Sequence, residues 1–421
     1  MKSRGLYGKK LLAIEERERE IGSPDEDHVV VKVRACGVCG TDVNFVRDWK
    51  DDPMPLGHEI AAEVVEVGKN VKSAAPGDRV IVEDCTMCGI CDACKSGHPE
   101  FCRTMYTMEG QPGMGQYLSV RFNSLVKFDG LDDVAACLTE PLAVSLTAVL
   151  NAQVPLGGSV MVLGNGPLGL MAARLAKLRG AGFVGITGLP RDNERERARF
   201  AVAERFGCGM TVETGRESIE EKVKGRFASG VDRVIVSSPP ESMSDAFKVI
   251  RFGGIVTFFG LHFGGRNTVS LDVNDMIFRK ISLIPTFAEP AINFPAANRL
   301  LRDGLVDAKA LVTHTFGFAE ARRTLAGIVD GSLPVVKAVM LPNGSGGAGG
   351  CGWPPGGQPW ATAGRRGVSA RGSAGLPPRR RLFPLFPRGR RSRCPSPAAH
   401  PARAWVDAPP RAGSIGSRSS R

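Results

Sequence analysis

Residues 157–285 alternate apolar, strand-like runs with helical segments, and this alternation constrains the fold of the chain more than any other feature. The strand-like runs include SVMVLG, GFVGIT, VDRVIV and GGIVTFFG, and the helical segments between them are LGLMAARLAKL, NERERARFAVAERFG and MSDAFKVI. Regular alternation of this kind is typical of a doubly wound parallel sheet. We therefore expect an α/β fold with this domain at residues 151–287.

A glycine-rich turn joins the first of these strands to its helix, and it has the spacing GxGxxG. The turn comprises Gly164, Gly166, Pro167, Leu168 and Gly169. The first glycine allows a tight turn, the second lets the backbone approach a pyrophosphate, and the third permits close packing of helix and sheet. The helix N-terminus then faces the phosphates. This context predicts a nicotinamide dinucleotide site, with a purely structural turn as the alternative.

The end of the second strand bears on which dinucleotide binds. NAD sites usually carry an acidic residue there for the ribose 2′-hydroxyl. In this chain that place is Gly188, and Arg191 follows three residues later, which favours the 2′-phosphate of NADP. Asp192 would favour NAD if its carboxylate folds back to the ribose. NADP and NAD both stay open as cofactors.

Residues 85–102 contain five closely spaced cysteines, which are typical of a zinc-binding lobe in a reducing compartment. They are Cys85, Cys88, Cys91, Cys94 and Cys102. Because zinc takes four ligands, two overlapping quartets are conceivable. The evenly spaced quartet that starts at Cys85 would crowd four ligands into one short loop, so the quartet from Cys88 to Cys102 is favoured. A closed site with four thiolates has a structural role, and Cys85 is then a spare thiol.

Three other segments offer zinc ligands that are separated along the chain. One holds Cys36 and Cys39 on a glycine-flanked turn, the second is Gly57-His58-Glu59, and the third begins at Glu140. A catalytic zinc keeps three protein ligands and one open position. These segments fit that count. Each segment taken alone also has a simpler interpretation. Cys36 and Cys39 would be buried thiols, His58 a core histidine, and Glu140 a charge at a helix N-terminus.

The motifs stand in the order seen in zinc-dependent medium-chain alcohol dehydrogenases, which this chain resembles over residues 11–341. The matching runs are CGVCGTD, PLGHEIAAEVVEVG, the cysteine lobe, EPLAVSLTAV, VLGNGPLGLMAARLAK and VIRFGGIVTFFGL. The sequence Glu140-Pro141-Leu142 resembles the corresponding motif of the polyol branch, which includes sorbitol (L-iditol) dehydrogenases. The resemblance implies a GroES-like, β-rich catalytic domain at residues 1–150, to which residues 288–342 return, and a Rossmann domain between them.

The resemblance also implies the residues of a catalytic site. Cys39 and His58 would bind the catalytic zinc, with Glu59 or Glu140 as the third ligand and Asp42 orienting His58. Thr41 would begin the proton relay, and Asn44 replaces the histidine that ends the relay in many relatives, so the proton must leave by water or another group. The implied reaction passes a hydride between an alcohol or polyol, activated by zinc as a Lewis acid, and NAD(P). Two zinc ions per chain and a homodimer or homotetramer follow from the family.

The formal charge of +12 is concentrated in one segment. Residues 343–421 contain 14 Arg and one Asp and therefore carry +13, which leaves −1 for residues 1–342. A nearly neutral body gives no electrostatic reason to expect nucleic acid or an anionic membrane as partner. The Arg-, Pro- and Gly-rich tail is expected to be disordered, and it reads as GC-rich sequence out of frame or past a lost stop codon, with a nucleic-acid arm as the alternative.

Two other functions are compatible with the sequence. One is a catalytically silent, nucleotide-binding relative, and the other is a nucleic-acid binder that uses the cysteine lobe as a zinc ribbon. The first is disfavoured because Cys39, Thr41, Asp42, His58 and Glu140 are all present. The chain also lacks a run of 18 apolar residues and a recognisable secretory signal. We therefore expect a soluble, cytoplasmic enzyme.

Overall fold

The protein is described by a computed structural model, in which residues 1–261 and 267–344 are placed. The tail expected from residue 343 lies outside these residues, apart from Asn343 and Gly344.

The N-terminal part is rich in β-structure. Its strands are β1 (Lys2–Lys9), β2 (Ala13–Glu20), β3 (His28–Gly37), β4 (Met54–Pro55), β5 (Glu59–Val67), β6 (Arg79–Val82), β7 (Cys85–Thr86), β8 (Tyr106–Thr107), β9 (Tyr117–Arg121) and β10 (Leu125–Lys127). Its helices are α1 (Gly40–Asn44), α2 (Asp92–Lys95), α3 (Asp133–Ala136) and α4 (Thr139–Asn151). The run of valines at the start of β3 is fully buried, which fits a strand at the centre of its sheet.

The middle part is a six-stranded sheet in which all strands are parallel, as the alternating pattern predicts. Its strands are β11 (Ser159–Leu163), β12 (Phe183–Gly188), β13 (Met210–Glu213), β14 (Val231–Val236), β15 (Ile250–Phe258) and β16 (Ser282–Pro285). The helices are α5 (Pro167–Leu178), α6 (Glu194–Arg205), α7 (Ile219–Arg226), α8 (Met243–Val249) and α9 (Val273–Arg279). The strand order is β13-β12-β11-β14-β15-β16. The order reverses between β11 and β14, where ligands bind in such sheets.

The C-terminal part of the described chain joins the N-terminal sheet. Its elements are α10 (Phe294–Arg302), α11 (Ala308–Leu311), β17 (Val312–Phe316), α12 (Ala321–Asp330) and β18 (Lys337–Met340). β18 pairs in parallel with β17 and antiparallel with β3. The resulting sheet has the order β10-β6-β5-β3-β18-β17, with β9 also paired to β3. This pairing places β18 beside β3, the strand that precedes the predicted zinc ligand Cys39.

Helix α4 connects the two halves of the molecule. Its residue Leu142 lies in one buried cluster with Leu170 of α5 and Ala297 of α10. The hydroxyl of Ser145 donates hydrogen bonds of 3.0 Å to the carbonyls of Pro141 and Leu168. The segment 133–151 is long and apolar enough to cross a bilayer, but 72% of it is buried inside the protein. It is a core element that ties the glycine-rich turn to the N-terminal domain.

Candidate active site and zinc lobe

The glycine-rich turn has the geometry that a dinucleotide requires. Gly164 has a φ of +104°, which side chains disfavour. A Cβ at Gly169 would lie 1.9 Å from the carbonyl oxygen of Gly164, so the helix can approach the strand only with glycine there. A Cβ at Gly166 would meet nothing within 4 Å. Gly166 therefore leaves open space at the N-terminus of α5, where a pyrophosphate binds in this type of fold.

The segment after β12 places Arg191 among acidic partners. Its amide donates to Glu213 (3.1 Å), and its guanidinium donates to Thr211 Oγ1 (2.7 Å) and Glu204 Oε1 (3.3 Å). The guanidinium also lies over the ring of Phe200 at 4.3 Å. Charge-assisted hydrogen bonds hold this side chain in place.

Asp192, the residue that would favour NAD, forms an ion pair with Arg216 at 2.8 Å. A Cβ at Gly188 would lie 2.2 Å from Asn165 Nδ2, so the position where NAD sites usually carry an acid has no room for a side chain.

Cys39, His58 and Glu59 lie together, with one ligand atom of each within 4.8 Å of the others. Cys39 precedes α1, and Glu59 begins β5. Because β3 and β5 pair with Gly37 opposite Glu59, the pairing brings the two ligand segments side by side. Cys36, the alternative thiol, is fully buried and is not part of this group. A thiolate, an imidazole and a carboxylate form a donor set that suits zinc.

Asp42 acts on both ligand segments through the backbone. It is 1% exposed, and its carboxylate accepts hydrogen bonds from the amides of Cys39 (2.9 Å) and Gly57 (2.8 Å). The Nδ1 atom of His58 is 4.0 Å from Asp42, which is too long for a hydrogen bond. Asp42 therefore holds the backbone of the residue before His58 and does not hydrogen-bond the imidazole.

The charges of these residues act strongly on one another. Burial disfavours the charged imidazole, but the charge and hydrogen bond of Cys39, followed by the charges of Asp42 and Glu140, raise the pKa of His58 well above its ordinary value. Glu140 is buried in the first turn of α4, and burial, reinforced by Glu59, raises its pKa well above the ordinary value. Glu140 is thus a neighbour of the three residues, although it does not join their group among the described residues.

Lys337 is a member of this site that sequence reasoning missed. It lies in β18, is 3% exposed, and its Nζ donates to Glu59 Oε1 (2.5 Å) and to the carbonyl of Val38 (2.8 Å). Its signal in the sequence was a lysine inside the otherwise apolar run VVKAVML. Buried lysines are rare unless they are paired.

A cleft of about 550 Å³ separates the N-terminal domain from the nucleotide-binding sheet. Cys39, Thr41 and Asn44 are among the residues on one side, and Leu168 and Ser237 are among those on the other. The predicted metal ligand Cys39 and the predicted relay residue Thr41 therefore face the turn that would hold the dinucleotide.

A second polar group, Asp84, Cys85 and Glu289, was not predicted. One ligand atom of each lies within 4.8 Å of the others. The amide of Ala291 donates to the carbonyl of Cys85 at 3.1 Å, which holds the Glu289 loop against the lobe. Burial, reinforced by the charge of Asp84, raises the pKa of Glu289 to about 7. Nothing in the sequence signalled this meeting of residues from distant segments.

The lobe brings together the four cysteines that were favoured, and Cys85 lies outside the quartet. The Sγ atom of Cys91 lies 3.5 Å from that of Cys94 and 3.8 Å from that of Cys102. The hydroxyl of Thr104 and the amides of Ile90 and Cys91 donate to Cys88 Sγ. The Thr104 hydrogen bond is the largest of the effects that lower the pKa of Cys88 to about 6. These hydroxyl and N–H donors favour the thiolate form of Cys88, which suits a closed zinc site.

Comparison with known proteins identifies the family. Residues 25–130 match the alcohol dehydrogenase GroES-like domain, and residues 167–302 match the zinc-binding dehydrogenase domain. The chain is 30% identical over 333 residues to L-galactonate-5-dehydrogenase of Escherichia coli K12, covering 77% of this chain and 94% of the relative. It is 29% identical over 332 residues to sorbitol dehydrogenase of Bacillus subtilis 168, covering 76% and 91%.

A solved structure has the same fold. It is described as a zinc-binding dehydrogenase from Sinorhizobium meliloti 1021 bound to NADP, with 27% identity and a TM-score of 0.72, covering 81% of this chain and all of that one. The chain belongs to the zinc-dependent alcohol dehydrogenase family, as its motifs predicted. It is an oxidoreductase whose cofactors are zinc and a nicotinamide dinucleotide.

Proposed function

We propose that the protein is a dehydrogenase of neutral polyols, in which Cys39, His58 and Glu59 bind the catalytic zinc. The observation that carries the proposal is the cleft in which Cys39, one of these three residues, lies opposite Leu168 of the dinucleotide turn. Relatives that act on sorbitol and L-arabinitol support a polyol substrate. A zinc ion bound there would polarise the substrate hydroxyl.

The carboxylates near the ligand group support a neutral substrate. The charge of His58 acts on Glu289, and that of Asp84 acts on Glu140, so these carboxyl groups are electrostatic neighbours of the proposed metal site. Carboxyl oxygens accept hydrogen bonds from several hydroxyl groups at once, and a carboxyl group offers no positive charge to an anion. We therefore expect sugar alcohols to be better substrates than sugar acids or sugar phosphates.

The proton released from the alcohol leaves by way of the cleft. The hydroxyl of Thr41 lines the cleft beside Cys39 and takes up the first proton transfer. Asn44 follows in the same wall but does not titrate. Water in the cleft therefore completes the transfer, while Glu140 holds a water molecule beside the ligand group.

Arg191 supports NADP as the preferred cofactor, with NAD also accepted. A guanidinium at the end of the second strand offers the donors that a 2′-phosphate needs. Its contacts with Glu213 and Glu204 place negative charge beside the same site, so the preference is moderate. We further propose that the quartet Cys88, Cys91, Cys94 and Cys102 binds a second, structural zinc ion.

We propose a homodimer that forms through the edge of the six-stranded sheet. Among the described residues, β16 pairs only with β15, and an unpaired edge strand is a template for another chain. Helix α9 exposes Val273, Ile277 and Phe278 nearby. The substitution Ile277→Asp should reduce the mass measured by light scattering to that of a monomer, whereas Leu156→Asp, at an exposed site elsewhere, should not. The near-neutral body supports a protein without a nucleic-acid or membrane partner, and we propose that it is cytoplasmic.

The proposed reaction is tested with the full chain. Zinc is quantified per chain, and NADPH or NADH formation is followed with sugar alcohols, secondary alcohols, sugar acids and sugar phosphates. Cys39→Ala and His58→Ala should each abolish turnover, whereas Cys85→Ser should keep it. Turnover that survives Cys39→Ala, or a preference for sugar acids, would contradict the proposal.

A further inference from the structure

The side chain of Asn165 covers the end of the second strand of the parallel sheet. Asn165 stands between Gly164 and Gly166 in the glycine-rich turn and is 4% exposed. A Cβ at Gly188 would lie 2.2 Å from its Nδ2 atom and 2.5 Å from its Cγ atom. Gly188 does not have a positive φ, so a larger residue at this position is excluded by lack of space and not by backbone conformation.

A buried carboxylate holds Asn165 in this place. The Nδ2 atom of Asn165 donates a hydrogen bond of 3.0 Å to Oε2 of Glu196, which is 0% exposed. The Oε1 atom of Glu196 accepts a hydrogen bond of 3.1 Å from Arg199. Moving the amide away from Gly188 would break a contact to a buried carboxylate, and such contacts are costly to lose. The turn is therefore fixed to helix α6 through this pair.

Phe200 closes the same position from another direction. Its Cζ atom would lie 2.8 Å from a Cβ at Gly188. The ring is fully buried, and the guanidinium of Arg191 lies over it at 4.3 Å. The packing that leaves no room at residue 188 thus also supports the arginine that is proposed to contact a 2′-phosphate.

The two cofactors place opposite demands on this end of the strand. An acidic side chain there accepts hydrogen bonds from the ribose of NAD, whereas it repels the 2′-phosphate of NADP. We propose that Asn165 is a specificity-determining residue, which Glu196 holds over Gly188 so that no acid can occupy the end of the second strand. The inference rests on the proposed function, because it explains the preference for NADP that is proposed there.

The test uses the full chain and steady-state kinetics with NAD and NADP. The opened variant carries Asn165→Ala, which frees the space, and Glu196→Gln, so that an acid at residue 188 does not face a buried like charge. Adding Gly188→Asp to the opened variant should raise kcat/KM for NAD about tenfold or more, because the new hydrogen bonds involve a charged group. The value for NADP should fall. Gly188→Asp in the otherwise wild-type chain should bring no gain with NAD.

Thermal melts measure the steric relationship without any cofactor. Gly188→Ala should lower the melting midpoint of the wild-type chain by several degrees, because overpacking a buried position is destabilising. It should lower the midpoint of the opened variant much less, since the clash has been removed. Gly225→Ala is the matched control, because a Cβ there would meet nothing within 4 Å. Its effect should be the same in both chains.

Three outcomes would overturn the inference. Gly188→Ala could cost as much in the opened variant as in wild type, Gly188→Asp could improve the use of NAD equally in both, or it could bring no gain with NAD in the opened variant. The melts decide the question even if Gly188→Asp does not fold in the wild-type chain, and Asn165→Ala alone replaces the opened variant there if the latter is unstable. Wild-type protein that prefers NAD would refute the proposed preference for NADP, whereas the melts would still show whether Asn165 closes residue 188.

Discussion

The carboxylate of Asp42 accepts a hydrogen bond of 2.8 Å from the amide of Gly57, the residue before His58. Its other oxygen accepts one of 2.9 Å from the amide of Cys39. Gly57 has a φ of +87°, and a Cβ there would lie 2.6 Å from the sulfur of Cys36. One buried side chain and one glycine thus set the relative position of the two proposed ligands Cys39 and His58.

This relationship predicts the effect of Asp42→Asn. The amide group would present an N–H to one of the two backbone donors, so one ligand segment should loosen. We expect catalytic zinc to bind about 10- to 100-fold more weakly, with turnover falling in parallel and lobe zinc retained. Metal analysis after dialysis against a chelator checks this. Asp48→Asn, at an exposed position nearby, serves as control, and full zinc content in Asp42→Asn would contradict the prediction.

The cysteine quartet predicts separable effects for two neighbouring thiols. Cys102 is 5% exposed and its sulfur lies 3.6 Å from that of Cys88, so Cys102→Ser should remove the lobe zinc and lower the thermal midpoint, since structural zinc contributes to folding. Cys85→Ser should keep both zinc ions. Zinc content and melting curves measure the two effects, and equal zinc loss in both variants would count against the assigned quartet.

The partners of Arg191 predict opposite shifts in cofactor preference. Arg191→Ala should raise the KM for NADP by about tenfold or more, because hydrogen bonds to charged groups contribute roughly 1.5–3 kcal/mol, and should change the KM for NAD little. Glu213→Gln removes a competing carboxylate and should strengthen the preference for NADP. Steady-state kinetics with both cofactors distinguishes these outcomes. Arg179→Ala, at the far end of α5, is the control, and parallel changes for NAD and NADP would refute a role at the 2′-phosphate.

Glu83 predicts a pH-dependent change in stability. It is 8% exposed, and burial raises its pKa from 4.5 to about 7 against the opposing hydrogen bond with Thr86. Because the folded pKa is above the unfolded value, its contribution to stability is complete below about pH 4.5 and is lost as the pH rises through about 7. The loss amounts to at most about 3 kcal/mol.

The glutamine of Glu83→Gln does not titrate. The melting midpoint of this variant should therefore rise relative to that of wild type between pH 5 and pH 8. Thermal melts at both pH values measure this gain. Glu18→Gln, on an exposed strand, should follow wild type at both pH values. A Glu83→Gln midpoint that keeps a constant offset from wild type would contradict the raised pKa.

The features that the sequence determined alone are local ones. The alternation of strands and helices predicted the parallel sheet, because side-chain periodicity follows backbone geometry over a few residues. The GxGxxG turn and the cysteine spacing could be recognised from the sequence for the same reason. The weakly apolar strand β13 and the charged helix α7 escaped prediction, since their short runs carry little periodicity.

The meetings between distant segments were decided only by the tertiary structure. Lys337 and Glu59 are 278 residues apart, and they touch because β18 pairs with β3, which in turn pairs with β5. Glu289 beside Asp84 and Asp42 beside Gly57 are likewise contacts between separate segments of the chain. A side chain's type is written in the sequence, but its partner depends on strand pairing over long separations, and that pairing is set by packing of the whole core.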